Sequence, residues 1–459
     1  MRRTPRLSLA TLLMALLAGL TGCPRQPLPR YAGVDQAREG VLGAREAARA
    51  ARDARDLDAA SRAAELAVDG LAQAEALSGP APVGSAAEGQ GDPLRDLRLA
   101  AREAQQLAQE TDERLRLEAA LSGLKAGAYR QVRGAAVGAT FTALALAARQ
   151  AEQRGLEALP PQARDAANCA AAWAEAATGR GPRADGTHDW AAIAADMERL
   201  AGAPPPQLGV TLSVGFLLLG KSGLALLETE ALDPAAVEDP TERLALHLLR
   251  GFARDSNGYR RLAVLEVEEG LDELGLRRDE AGTIGGGPIA LTAAEVVGGI
   301  HLLLAVVHMH EKDYPAADRE LALALAAWPD SPVASYLTGE RLLASGQRER
   351  ATASLEAAAQ GRGEDAEWLA ARIADRSRRI RDGEADADDG LIGDPAFMAR
   401  LALHALWKAA ERSPQAAQAR AQAARARAFC ADLLGRLPGL GEDDGVAPID
   451  STTGDSATR

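Results

Sequence analysis

When the segment beginning at Gly298 is slid forward by thirty-four residues, small and apolar residues fall on one another. Ala305 lands on Gly339, Lys312 on Gly346, Ala317 on Ala351, Leu321 on Leu355 and Ala324 on Ala358. Sliding the same frame back by fifty-four residues brings Gly251, Gly258, Ala263, Val267 and Gly270 onto those positions, the additional twenty residues being a glycine-rich insert near 278–297. A period of this length admits few architectures, because each unit is one supersecondary element that must bury its apolar face against the next. Alanine, leucine and arginine recur at helical spacing through most of the chain, aromatic residues make up only 3% of it, and β-branched runs are few. The expected fold is therefore all-α.

In these features the chain resembles the tetratricopeptide repeat (TPR) family, whose unit is a helix, a turn and a second helix, with small side chains where the two cross. Gly251, Ala305 and Gly339 stand at the small first-helix position, and Ala263, Ala317 and Ala351 at the second-helix crossing. Trp328-Pro329-Asp330 supplies the proline that usually closes a unit. Lys312 departs from the family's turn glycine, and its large first-helix aromatics are mostly missing. The resemblance implies an α-solenoid with two or three TPR-like repeats between about 241 and 365, inside a repeat region of 205–380, with additional helices on the N-terminal side. A degenerate unit is expected at 41–77, where Leu57, Ala60, Ala64 and Ala67 follow the second-helix pattern. The rest of the N-terminal helical region (31–200) and residues 396–437 read as helical without a clear period. Breaks are expected at 79–93, 179–186, 202–206, 281–288 and 382–395, the last overlapping an acidic linker at 381–395. The polar tail 438–459 is expected to be disordered.

The chain opens with three arginines and an apolar run from Leu7 to Leu20, too short to span a bilayer comfortably and typical of an export signal. Leu20-Thr21-Gly22-Cys23 resembles the lipobox of bacterial lipoproteins, which implies cleavage after residue 22 and lipidation of Cys23. Residues 23–30 then form the acylated cysteine and a stiff polar tether. Pro24 stands where a retention aspartate is found in some Gram-negative lipoproteins, so the implied location is the outer membrane, facing the periplasm. Loss of residues 1–22 removes three arginines and moves the formal net charge from −13 to −16, which argues against a nucleic-acid partner.

Several stretches invite a chemical reading. Gly215, Gly220, Lys221 and Ser222 match the spacing of a phosphate-binding loop. Phe216, Leu217, Leu218 and Leu219 are unsuited to an exposed loop, so a buried helical hairpin with its turn at 220–223 is expected instead. His301, His308 and His310 cluster, but His301 has an equivalent in His247 one unit earlier, which points to packing and away from metal. The acidic run 384–390 has its glycine one residue late for a calcium loop and lacks the closing glutamate. The 282–288 stretch lacks the spacing of a dinucleotide fingerprint and reads as a flexible insert. Cys169 and Cys430 lie in Ala-rich helical stretches, where a small buried thiol is the commoner role, although an exported compartment would permit a bridge. No nucleophile turn is recognisable, so neither catalysis nor a cofactor or metal is expected.

Carried over from the family, the partner-binding groove falls on Leu248, Phe252 and Asp255; on Leu302, Val306, Met309 and His310; and on Tyr336, Glu340 and Leu343. An apolar groove of this kind suits a hydrophobic or amphipathic segment. The competing reading places the same residues beneath the unassigned helices, with no open groove. The expected function is a non-enzymatic, membrane-anchored TPR adaptor that binds another cell-envelope protein. A helical lipoprotein binding a small ligand is the alternative.

Overall fold

A computed structural model describes residues 32–78, 94–205, 208–279, 282–286, 294–359 and 416–437, together with parts of 370–382. The export segment with Cys23, the acidic linker and the tail lie outside these residues. The fold is predominantly helical and divides into two compact units, Met1–Asp112 and Glu113–Arg459.

The first unit holds helices α1 (Val34–Asp53) and α2 (Leu57–Ser78) and the start of α3 (Arg95–Ser122). Its core is built mostly from methyl groups: Ala37, Ala44, Ala48, Ala63, Ala67, Ala74, Ala100 and Ala104, with Val41, Leu97 and Leu107 among them. So small a set of side chains lets the helices approach closely and compensates for the modest area each residue buries.

In the second unit come α4 (Leu124–Arg154), α5 (Pro161–Thr178) and α6 (Trp190–Gly202), followed by the hairpin of α7 (Leu208–Leu218) and α8 (Ser222–Glu230). Three further hairpins succeed it: α9 (Pro240–Ser256) with α10 (Arg260–Glu273), α11 (Ala294–His310) with α12 (Tyr314–Ala327), and α13 (Pro332–Ala344) with α14 (Arg348–Ala359). A last helix, α15 (Ala416–Leu434), packs on α5 and α7. Phe141 of α4, Trp173 of α5 and Phe429 of α15 meet with ring centroids 4.9–5.2 Å apart, joining the N-terminal and C-terminal helices of this unit in one core.

One turn closes the hairpins. Among the described residues, five pairs of helices are joined by three residues each, and in every case the middle one has left-handed backbone: Arg55 (φ 57°), Gly220 (72°), Gly258 (80°), Lys312 (59°) and Gly346 (75°). The next residue's N–H reaches back five residues. Asp56 donates to Ala51, Lys221 to Phe216, Tyr259 to Arg254, Asp313 to His308 and Gln347 to Leu342, at 2.7–2.9 Å. The turn residue itself donates to the carbonyl three residues back, completing a Schellman closure that satisfies the last carbonyls of the first helix. Lys312, at the turn-glycine position, keeps the geometry at a steric cost glycine would not incur.

Counting from that turn residue, the fifth residue onward is alanine in all five hairpins: Ala60, Ala225, Ala263, Ala317 and Ala351, each no more than 1% exposed. The seventh residue back is also small, namely Ala48, Ser213, Gly251, Ala305 and Gly339. These are the crossings. A Cβ added at Gly339 would lie 2.7 Å from Leu355 Cγ and 3.2 Å from the Ala351 carbonyl, and one at Gly251 would lie 3.4 Å from the Ala263 carbonyl. Helical hairpins thus occupy the described residues between 240 and 359, and another spans Val34–Ser78, all with these small residues at corresponding places.

The phosphate-loop spacing has a packing origin. Gly215 faces α15, where a Cβ would come within 2.4 Å of Cys430 Sγ and of the Ala426 carbonyl oxygen. Gly220 supplies the left-handed turn, and the N–H groups of Leu219, Gly220 and Lys221 are all committed to carbonyls of α7. Phe216 and Leu217 are buried, as a helical hairpin requires. Cys169 and Cys430 are buried free thiols, and burial pushes the Cys169 thiol up to about 12.

The insert between α10 and α11 departs from the flexible segment expected there. Strands β1 (Leu276–Arg278) and β2 (Ile284–Gly286) form an antiparallel ribbon, with Leu276 opposite Gly286 and Arg278 opposite Ile284. Leu276 and Ile284 are buried, so a two-strand ribbon is held by the helices it packs on and not by its own ladder.

Lys312→Gly is expected to raise stability by about 0.5–1 kcal/mol by removing left-handed strain, whereas Gly346→Ala is expected to lower it by a similar amount. Thermal denaturation of the chain followed by circular dichroism checks both signs.

Candidate functional site

The expected groove positions are interior. Leu248, Phe252, Asp255, Leu302, Val306, Met309, Tyr336, Glu340 and Leu343 are each 8% exposed or less, and His310 is half-buried. Of the two readings of these residues, an open groove or a covered face, their burial agrees with the second. The physical reason is that the apolar spacing marking a groove also marks a buried face: Leu248, Phe252, Leu302, Val306, Tyr336 and Leu343 belong to the main hydrophobic core, and Asp255, His310 and Glu340 form ion pairs. Asp255 accepts from His310 Nδ1 at 3.0 Å, linking the first helices of successive hairpins. Glu340 accepts from Tyr336 Oη at 2.8 Å and from two nitrogens of Arg376 at 3.1 and 3.2 Å. An aspartate at Phe252, Val306 or Tyr336 would therefore disrupt the core and could not report on partner capture.

The chemistry in this region consists of buried charges, set between the two helices of the α9/α10 and α11/α12 hairpins and between α8 and α4. In the first, Glu266 of α10 uses both oxygens: Oε1 accepts from His247 Nδ1 (2.8 Å) and Arg250 (3.0 Å), and Oε2 accepts from Arg254 (2.7 Å). Arg254 also reaches Glu230 at 2.7 Å, and His247 Nε2 faces Glu273 Oε2 at 3.2 Å. Arg250 continues to the carbonyls of Thr229 and Leu232, tying the end of α8 to α9. In the next hairpin His301 Nδ1 meets Glu320 at 2.8 Å, and Arg278 from the β-ribbon supplies the counter-charge. A third buried carboxylate, Glu228 of α8, accepts from Tyr129 Oη at 2.6 Å and from Arg133, joining α8 to α4.

Burial raises the pKa of a carboxyl group, yet Glu266 and Glu320 are both held below the usual carboxylate range. For Glu266 the His247 hydrogen bond and the charges of Arg254 and Arg250 outweigh burial, and for Glu320 the hydrogen bonds of His301 and Arg278 do so. Carboxylates held ionised by two or three donors serve as fixed anions in the packing. Among the described residues no group of three His, Cys, Asp or Glu side chains is placed to hold a metal ion.

The 54-residue offset contained a clue to this arrangement, since histidine and glutamate stand nineteen residues apart in both units, His247 with Glu266 and His301 with Glu320. Glu113 had no such signal. Its carboxylate accepts from Leu262 N at 2.9 Å and so caps α10 from 149 residues away, where α12 and α13 use their own Asp313 and Ser331.

Glu266→Ala would leave His247, Arg250 and Arg254 crowded around a missing anion, with an expected loss of about 3–5 kcal/mol. Glu103→Ala, which breaks the solvent-exposed Arg49–Glu103 pair, is expected to cost under about 1 kcal/mol. Urea unfolding of the two variants measures the contrast.

No protein-family model, curated protein or solved structure matches this chain.

Proposed function

We propose that the chain is a non-enzymatic, TPR-like scaffold of the Gram-negative cell envelope. In this reading lipidated Cys23 attaches it to the outer membrane, and the helical scaffold built on these hairpins holds another envelope protein on the periplasmic side. The observation that supports it most is the recurrence of one closing turn and one small-residue crossing in successive hairpins. Stacking of such units extends a surface and suits it to recognition of other proteins. The buried charges support the same reading, because each one is spent on joining helices.

With the first-helix positions interior, partner contact is assigned to the exposed side of the helices. Leu124 and Leu146 on α4 are the most exposed large apolar side chains there, at 95% and 58%. They stand twenty-two residues apart, about six helical turns, and so share a face.

A photo-crosslinking amino acid placed at Leu124 or Leu146 in native cells is expected to yield a discrete adduct with one envelope protein. Cys23→Ser is expected to move the chain from the membrane fraction to the soluble fraction. A chain that stays with the membrane after that substitution removes the anchor from the account, and absence of any adduct at both positions removes the scaffold role on this face.

A further inference from the structure

His247 and His301 occupy the same place in consecutive hairpins, but the charges around them differ. At His301 one carboxylate, Glu320, meets one guanidinium, Arg278, so the fixed charges balance without the imidazole. At His247 two carboxylates of α10, Glu266 and Glu273, face the ring, and a third, Glu230 at the end of α8, joins the same network through Arg254. Among the described residues the opposing cations are Arg250 and Arg254, from α9 itself. Exposed Glu269 on α10 adds a further negative charge toward Arg254.

The hydrogen-bond geometry points the same way. Both ring nitrogens of His247 face carboxylate oxygens, Nδ1 at 2.8 Å and Nε2 at 3.2 Å, and carboxylates only accept. A neutral imidazole has one N–H and would turn a lone pair toward one of them. Gly270 makes the close fit possible, since a Cβ there would lie 2.6 Å from His247 Cγ.

We propose that the α9/α10 hairpin contains a proton-dependent latch: protonated His247 ties the two helices through Glu266 and Glu273, and loss of that proton loosens this hairpin while leaving α11/α12 closed. Burial alone would lower the imidazole pKa, but the hydrogen bonds and charges of Glu266 and then Glu273 reverse the direction, and it is raised above its ordinary value. A folded pKa above the unfolded one gives stability that is complete below the unfolded value and is withdrawn as pH rises through the folded value. Glu266, held low, acts in a separate window: its contribution is lost only as pH falls through its depressed value.

Hydrogen exchange of the full mature chain between about pH 6 and 8.5, corrected for intrinsic rates, tests the latch. The opening equilibrium of α9/α10 is expected to rise with pH, by up to about tenfold per pH unit, while that of α11/α12 does not follow it. His247→Gln is expected to abolish the pH dependence and His301→Gln to retain it. Equal pH dependence in both hairpins, or dependence that survives His247→Gln, overturns the proposal. Should the variant fail to fold, imidazole NMR of the wild-type chain decides: a His247 midpoint above about 6.5 supports the latch and one below it refutes it.

Discussion

Two helices joined by three residues are forced together just beyond the turn, and there the side chains at the crossing can be no larger than a methyl group or a hydroxymethyl. In this protein that condition is met by Ala60, Ala225, Ala263, Ala317 and Ala351 on the second helices and by alanine, serine or glycine on the first. Every other contact between the helices of a hairpin depends on it. The left-handed residue at the turn sets the direction of return, the alanine sets the distance, and larger residues such as Val267, Leu321 and Leu355 then fill the space that opens farther along.

Close backbone approach leaves little room for large apolar side chains, and the chain fills part of its interior with charge. Glu266, Glu320, Glu340 and Glu228 are all nearly inaccessible, and each is matched by arginine, histidine or tyrosine from a neighbouring element. Such pairs add little net stability over apolar packing, but removing one partner is costly, so they penalise wrong pairings of similar helices. In helices rich in alanine and leucine, a shifted register would leave these carboxylates without their partners.

The hairpins were legible in the amino-acid sequence because the constraint at the crossing is steric and periodic, so it leaves a repeating mark even where Lys312 replaces a glycine. The α7/α8 hairpin was legible from its apolar run, although its kinship with the others was not, since Ser213 and Ala225 are too little to reveal a repeat. Burial of the first-helix face was beyond reach: Leu248, Phe252 and Val306 have the same spacing whether a partner or the protein's own core covers them. The β-ribbon hid behind its glycines. Glu113, acting on a helix start 149 residues away, has no local signature because a tertiary cap depends on position in space alone.

The most direct measurement of this account is the stability of a series in which each crossing alanine, at 60, 225, 263, 317 and 351, is replaced in turn by leucine and compared with Ala322→Leu on the exposed side of α12. The account predicts a loss of about 1–3 kcal/mol at every crossing and almost none at Ala322. Crossing variants that melt with the Ala322 control would contradict it.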